Sequence, residues 1–362
     1  MRHQMLKRCR RSHLLVLWGF LVLLGSFTNT SWAAEFNFSV LPEIPANQLA
    51  QNSSYFDLLM PPNHKQELTI WLKNDTAQPV LVTATTHSAF TNDNGVVEYG
   101  GSDVKKINDP TLRFDFAELI QAPRELKLEP HTKRPYRFTL QMPDEVFSGL
   151  IAGGITFSEK TETAAVTNQS GVAINNKFSY ALAVLLRQQR ETGPPDLRLI
   201  KSQIGQVNQR TVLQSTLQNP AAAYLNQLVC QLTLIKQGQT TAFYQGIQKN
   251  LQVAPNSRFQ LTSFLNETGE NKRVAPGKYQ VVLEAYGQEA QEGPFYDPRT
   301  KKSYRYHWSL EDELTITSEK AQKLNTTDVT LKQEAPDPSL IYGLLTVFVL
   351  VVSRMVFRKS KR

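Results

Sequence analysis

Apolar residues in this chain recur at every second position in short runs broken by turn formers, and that spacing restricts the fold more than any other feature. Phe36, Phe38 and Val40 fall on one side of an extended segment. So do Leu68, Ile70 and Leu72, then Tyr136, Phe138 and Leu140, then Tyr279, Val281, Leu283 and Ala285. Polar residues occupy the intervening positions, and Pro61-Pro62-Asn63 or Ala275-Pro276-Gly277 punctuate the runs. A two-residue period gives each segment one face for a core and one for water, the pattern of strands in antiparallel sandwiches. Helical periodicity is confined to a single turn at residues 116–120 and a short segment at 319–324. Residues 180–186 are apolar on both faces and too short for an independent helix, which predicts a central strand. The fold class expected is all-β.

A weak internal repeat suggests two related modules. Leu-x-apolar-x-Pro occurs at Leu58, Met60 and Pro62, at Leu126, Leu128 and Pro130, and at Leu251, Val253 and Pro255, each time ahead of an alternating run. Proline ends a strand because it has no N–H for the ladder, and a polar turn then returns the chain to the core. Residues 159–176, rich in Thr, Ala, Asn, Gln and Ser, read as a loop or hairpin tip. The stiff Gly193-Pro194-Pro195 cannot continue a strand and marks the break between modules at 34–192 and 193–318. Residues 319–339, polar and ending in Ala335-Pro336-Asp337-Pro338, read as a stalk.

Both ends carry membrane signals. Basic residues Arg2, Lys7, Arg8, Arg10 and Arg11 precede an apolar run from Leu14 to Phe27 and the small-residue exit Ser31-Trp32-Ala33-Ala34. This predicts a signal peptide over 1–33, cleaved after Ala33 or Ala34; a retained signal anchor is the competing reading. Residues 340–357 are nearly all apolar and are followed by the basic tail 358–362. About eighteen residues at roughly 1.5 Å each span a hydrocarbon core of about 30 Å. Positive flanks stay cytoplasmic, so one transmembrane helix holds the rest of the chain outside the cell. Arg354 lies near the basic end of this span, where its side chain can snorkel to the headgroups.

The formal charge of +8 belongs to these ends. Removing the five bases of 1–33 and the five of 354–362 leaves −2 between them, so charge supplies no sign of a nucleic-acid partner. Of two cysteines, Cys9 belongs to the signal and Cys230 lies in phase with three leucines, which predicts a buried thiol and excludes an internal disulfide in the exported part.

Catalytic motifs are scarce. His64, His87, His131 and His307 lack metal-ligand spacing, so no cofactor or metal is implied. No Gly-x-Ser-x-Gly, His-Glu-x-x-His or phosphate-cradling glycine loop occurs. Asn92-Asp93-Asn94-Gly95 fails as a calcium loop, because Phe90 and Gly101 would take the first and twelfth ligand positions. A tight turn between two strands is the simpler reading. Glu311-Asp312-Glu313 could pair carboxylates for glycoside hydrolysis, but a solvated strand edge accounts for it as well.

Two regions are candidates for binding. Within residues 92–101, Tyr99 and its neighbouring glycines could offer a ring to a saccharide or form a plain hairpin. Further on, Phe295, Tyr296, Tyr304, Tyr306 and Trp308 are mixed with Arg299, Lys301, Lys302 and Arg305. Aromatics among cations suit protein or glycan contacts. Alternatively Tyr304, Tyr306 and Trp308 fill a core and the basic tip is merely solvated.

Several motifs resemble a known family. Phe36-Asn37-Phe38-Ser39-Val40-x-Pro42-x-Ile44-Pro45-x-Asn47-Gln48, Tyr55-Phe56-Asp57-Leu58, Asn94-Gly95-Val96-Val97-Glu98-Tyr99 and Gly149-x-x-x-Gly153-Gly154-Ile155-Thr156-Phe157 are similar to the WxL-interacting proteins of Gram-positive bacteria. Trp308, Leu314-Thr315-Ile316-Thr317 and Ala321-x-Lys323-Leu324-Asn325 resemble that family's distal part. The resemblance implies two tandem immunoglobulin-like sandwiches, the first binding peptidoglycan and the second host extracellular matrix. It also implies WxL-domain surface proteins and a small sortase-anchored protein as partners, and no catalytic residues. A non-enzymatic surface scaffold is the expectation. A chaperone-like module holding a partner's strand is the alternative, and a wall hydrolase the third.

Overall fold

The computed structural model describes residues 37–49, 53–100, 109–160, 178–266 and 271–332. The expected signal peptide, Phe36, the end of the stalk, the anchor and the basic tail lie outside these residues. Among the described residues no helix is long and apolar enough to cross a membrane.

The alternating runs are strands. The first module contains β1 (Phe38–Pro42), β2 (Phe56–Leu59), β3 (Lys65–Asn74), β4 (Val80–Ser88), β5 (Phe90–Thr91), β6 (Val97–Glu98), β7 (Ile120–Gln121), β8 (Glu125–Leu128), β9 (Lys133–Gln141), β10 (Leu150–Glu159) and β11 (Ser179–Arg187). One sheet has the order β1-β3-β9-β7 and the other β2-β11-β10-β4-β8, while β5 and β6 form a separate hairpin. Leu68, Ile70, Leu72, Tyr136, Phe138 and Leu140 of the first sheet meet Phe56, Val82, Ile155, Phe157 and Val184 of the second in one core. The second module contains β12 (Arg198–Val207), β13 (Arg210–Asn219), β14 (Leu225–Lys236), β15 (Ala242–Val253), β16 (Ser257–Phe264), β17 (Gly277–Glu289), β18 (Phe295–Asp297) and β19 (Lys302–Ile316). Its sheets run β12-β13-β16 and β15-β14-β17-β19-β18. Their shared core includes Leu213, Leu217, Cys230, Leu232, Leu261, Tyr279, Val281 and Leu283. Burial raises the Cys230 thiol to about 12.

The Leu-x-apolar-x-Pro repeat is a corner that carries the chain between facing sheets. It joins β2 to β3, β8 to β9 and β15 to β16, each pair divided between the two sheets of its module. In every case the residue after the proline has positive φ: Asn63 at 56°, His131 at 54° and Asn256 at 49°. Proline followed by a left-handed residue is what a type II turn requires, and asparagine tolerates that conformation better than most side chains. Backbone bonds close two of the corners, His64 N to Pro61 O at 3.3 Å and Thr132 N to Glu129 O at 3.3 Å.

Strand β11 explains its own two-faced apolarity. It pairs antiparallel to β10 and parallel to β2. Leu182, Val184 and Leu186 enter the first core, whereas Leu185 joins a separate cluster with Ala89, Leu150, Ala152 and Ala254 against the second module. Chain without strand then runs from 188 to 197, and β12 opens the second module.

The stretch expected as a stalk requires a correction, because its first part packs on the second module. Ser318–Thr327 is a helix capped by Thr317, whose side chain accepts from Lys320 N. Ala321 and Leu324 are buried in the second core. Asp328 then accepts from Thr211 N at 2.8 Å and Leu331 is buried, so the fold extends to at least residue 331. Ala321 and Leu324, one helical turn apart in a polar segment, are what dock it.

A hairpin locks the modules together. The turn Asn92–Gly95 joins β5 to β6, with Asn92 Oδ1 accepting from Asn94 N at 2.9 Å and Val96 N at 3.1 Å. The hairpin then bonds to the β15–β16 corner: Gln252 N donates to Gly95 O at 2.7 Å, and Ala254 N to Thr91 Oγ1 at 2.9 Å. Nearby, Gln260 N donates to Asp93 Oδ1 at 3.1 Å, and the Thr91 and Ser257 hydroxyls lie 2.8 Å apart. Beside it the buried Asp109 carboxylate takes the Gln218 amide on both oxygens, at 2.9 Å each.

Two predictions test this packing. At Gly95, φ is +69° and an added Cβ would lie 2.6 Å from Leu251 Cδ2. Gly95→Val is expected to weaken the joint by about 1–3 kcal/mol, seen as a larger radius of gyration in solution scattering with both sandwiches still folded. An unchanged radius would contradict it. Native protein at pH 8 is expected to leave the Cys230 peptide unlabelled by maleimide, and guanidinium to expose it, as read by peptide mass spectrometry.

Candidate functional site

Tyr99 follows β6 and lies in the seam between modules. Its hydroxyl is 3.0 Å from that of Tyr224, and its ring joins the cluster of Leu150, Ala152, Leu185 and Tyr224. Burial raises the phenols of both Tyr99 and Tyr224, the latter far above its ordinary value. The Gly153-Gly154 pair on β10 makes this possible. A Cβ on Gly154 would stand 2.6 Å from Tyr99 Cβ, and one on Gly153 would strike the Phe116 ring. Tyr99 therefore packs across a strand rather than projecting from a hairpin tip.

Other residues of the family-like motifs also do structural work. Gln48 is buried; its Oε1 accepts from Asp57 N at 2.9 Å and its Nε2 donates to Tyr55 O at 3.0 Å. Asp57 in turn pairs with Arg187, Nε to Oδ1 at 2.9 Å, which ties β2 to β11. This pair is mostly shielded from water, and each charge depends on the other.

The second candidate region is the outer edge of the large sheet in the second module. Phe295 and Tyr296 lie on the edge strand β18 and are 39% and 60% exposed. Arg299, Lys301 and Arg305 are exposed beside them, and Lys302 pairs with Glu289 at 2.6 Å. The third residue of β18, Asp297, is fully buried and organises the tip. It accepts from Arg299 N at 2.9 Å, Thr300 N at 3.2 Å, Thr300 Oγ1 at 2.6 Å and Gln231 Nε2 at 2.7 Å. Burial raises its carboxyl, but these bonds outweigh burial and hold it below its ordinary value of 3.8.

The rings that could alternate into a core do so unequally. Tyr304 is buried and bonds to Thr300 Oγ1 at 3.1 Å, Trp308 is partly buried against the second core, and Tyr306 is partly buried with its ring 5.9 Å from that of Trp308. Sequence reasoning missed a row of rings behind Phe295. Phe295 lies 5.6 Å from the His307 ring, His307 4.6 Å from Tyr286, and Tyr286 5.5 Å from Tyr304. Glu284 holds His307 Nε2 at 2.6 Å. Strand pairing creates this row, because Tyr286 stands opposite His307 and Tyr304 opposite Phe295. Exposed rings backed by fixed rings, with cations at the rim, suit a protein or glycan partner.

Two of the acidic trio are occupied by structural contacts. Asp312 accepts from Ser202 N, tying β19 to β12, and Glu311 accepts from Gln280 Nε2 at 2.9 Å. Among the described residues no group of three His, Cys, Asp or Glu is arranged to hold a metal ion.

Strands and cores together define an all-β protein of two joined modules. The chain belongs to the WxL Interacting Protein family: the family's peptidoglycan binding domain matches residues 38–159 and its host binding domain matches residues 169–326. That family supports a binding role at the cell surface. A search of curated proteins finds no match. Among solved structures, the class 5 fimbriae chaperone CfaA is similar over 76% of this chain and 99% of its own, at 9% identity and a TM-score of 0.29. The YadV chaperone covers 78% and 100% at 10% identity and 0.29. The Pseudomonas aeruginosa CupB2 chaperone covers 62% and 89% at 15% identity and 0.27. Likenesses this low carry no argument about fold or function.

Asp297 yields a pH prediction. Its native value is depressed, so the stability it adds is complete above the unfolded value of 3.8 and is lost as pH falls through the native one. Asp297→Asn is expected to lower the melting temperature at pH 7 and to lose less than wild type between pH 7 and pH 3, measured by thermal unfolding. An equal loss in both proteins would contradict it.

Proposed function

We propose that this chain is a non-enzymatic cell-surface scaffold made of two immunoglobulin-like sandwiches, exported by the signal at 1–33 and held by a single anchor at 340–357 with its tail in the cytoplasm. The first module binds peptidoglycan and the second a host extracellular-matrix protein. A WxL-domain surface protein and a small sortase-anchored protein complete the complex. The order of the two family domains along the chain, wall-binding first and host-binding second, carries this reading. The joint between modules supports it, because a rigid connection lets two weak contacts act with high effective concentration.

In the second module the exposed edge of Phe295, Tyr296, Arg299, Lys301 and Lys302 is the proposed docking surface for the protein partner. Half-exposed aromatic anchors among charged residues are the groups on which binding energy concentrates. The full chain is expected to co-sediment with purified sacculi; if it stays in the supernatant at every ionic strength, the wall role is wrong. Tyr296→Ala is expected to weaken capture of the matrix or WxL partner about tenfold or more while leaving sacculus binding and melting temperature unchanged. A partner that is released after co-expression rather than retained would replace the scaffold with a strand-holding chaperone.

A further inference from the structure

The first module contains a cleft beside β4. It encloses about 710 Å3 between the second half of β4 and the segment 117–125, with Thr85, Thr86, Gln121 and Arg124 among its walls. That volume falls within the roughly 300–1,000 Å3 of small-ligand sites.

The cleft exists because the chain changes sheets beside β4. Glu125–Leu128 pairs with Val80–Thr83, and the ladder runs one bond further, Ala84 N to Arg124 O at 2.8 Å. There it stops. Pro123 has no N–H to offer, and Ile120–Gln121 pairs instead with β9 in the opposite sheet. Tyr136 fixes the crossover by donating to Pro123 O at 2.7 Å. At the other end, Ser88 Oγ donates to Asp115 at 2.8 Å and accepts from Phe116 N at 2.8 Å, which closes the gap. Between these two clamps, about one rung of β4 is left open.

Strand geometry says which groups face that opening. Ala84 N–H points toward the neighbouring segment, and backbone direction repeats every second residue, so Thr86 N–H and C=O point into the cleft. The Thr85 side chain is exposed beside it and Gln121 supplies an exposed amide from across the gap. The rim is cationic. Glu125 is neutralised by Lys160 at 2.7 Å, whereas among the described residues no carboxylate pairs with Arg124.

We infer that this cleft takes an extended, carboxylate-bearing peptide, the stem peptide of peptidoglycan, with the Thr86 backbone forming one ladder rung and Arg124 binding the carboxylate. The glycan offers hydroxyls and single acetamides but no extended backbone, and its lactyl carboxyl is consumed in the amide to the peptide, so the peptide, which keeps free carboxylates, is the better complement to these groups. The inference rests on the proposed wall-binding role of the first module.

The test uses the full chain with two soluble probes, an N-acetylmuramyl tripeptide and a peptide-free N-acetylglucosamine oligomer. The tripeptide is expected to slow hydrogen exchange at residues 85–87, and the oligomer to leave it unchanged. Arg124→Glu and the bulky but strand-compatible Thr85→Tyr are expected to lower sacculus retention about tenfold or more, with melting temperatures within a degree or two of wild type. Both side chains are exposed, so the fold tolerates them. If wild type binds sacculi but the variants bind equally well, or the oligomer alone protects 85–87, the cleft assignment is overturned and the wall role stands. Failure of wild type to bind sacculi overturns both.

Discussion

The arrangement of this molecule depends on the hydrogen-bonded joint between the β5–β6 hairpin and the β15–β16 corner. Domains in one chain move relative to each other by default unless the contact between them is substantial. Here the apolar part of the contact is small, a handful of alanines and leucines with Tyr99 and Tyr224. Its rigidity comes from polar groups that are buried in pairs. Asp109 with Gln218 and Thr91 with Ser257 are all nearly inaccessible. Opening the joint without rehydrating them leaves unsatisfied donors and a buried charge, each costing about 1–3 kcal/mol or more. Both modules are therefore held in one orientation.

The same economy shapes each module internally. Proline followed by a left-handed residue passes the chain from one sheet to its partner at three corners. In the first module, the crossover at Ala122-Pro123-Arg124 switches sheets without that corner and leaves the edge of β4 uncovered. The gap is thus a by-product of topology, lined by backbone groups that a core would have had to pair. Edges such as this one and β18 are what a β-protein usually protects by charge, shortness or cover. Here they are short and rimmed by cations, which limits self-association.

Much of the fold was legible in the sequence because strand periodicity is local. Leu68, Ile70 and Leu72, or Tyr279, Val281 and Leu283, announce their buried face through nearest-neighbour alternation alone, and Cys230 through its phase with leucines. The site was less legible. Tyr99 in a glycine-flanked turn reads as a projecting ring, and nothing local says that the facing Gly154 makes room for it under the second module. The basic and aromatic cluster at 295–308 was visible as composition, but the division of its rings between interior and edge was not. Tyr286 and Glu284 were missed because they lie on another strand and reach Phe295 and His307 only through register.

The sequence by itself determined the all-β class, the alternating core faces, the corner prolines and the family, because each is written in residues a few positions apart. Tertiary structure alone decided that the expected stalk begins with a docked helix, that the hairpin at 92–95 is a joint between modules, and that one rung of β4 stays open. Those outcomes depend on which strands become neighbours. That is set by the sum of many weak long-range contacts, and no short stretch of sequence contains it.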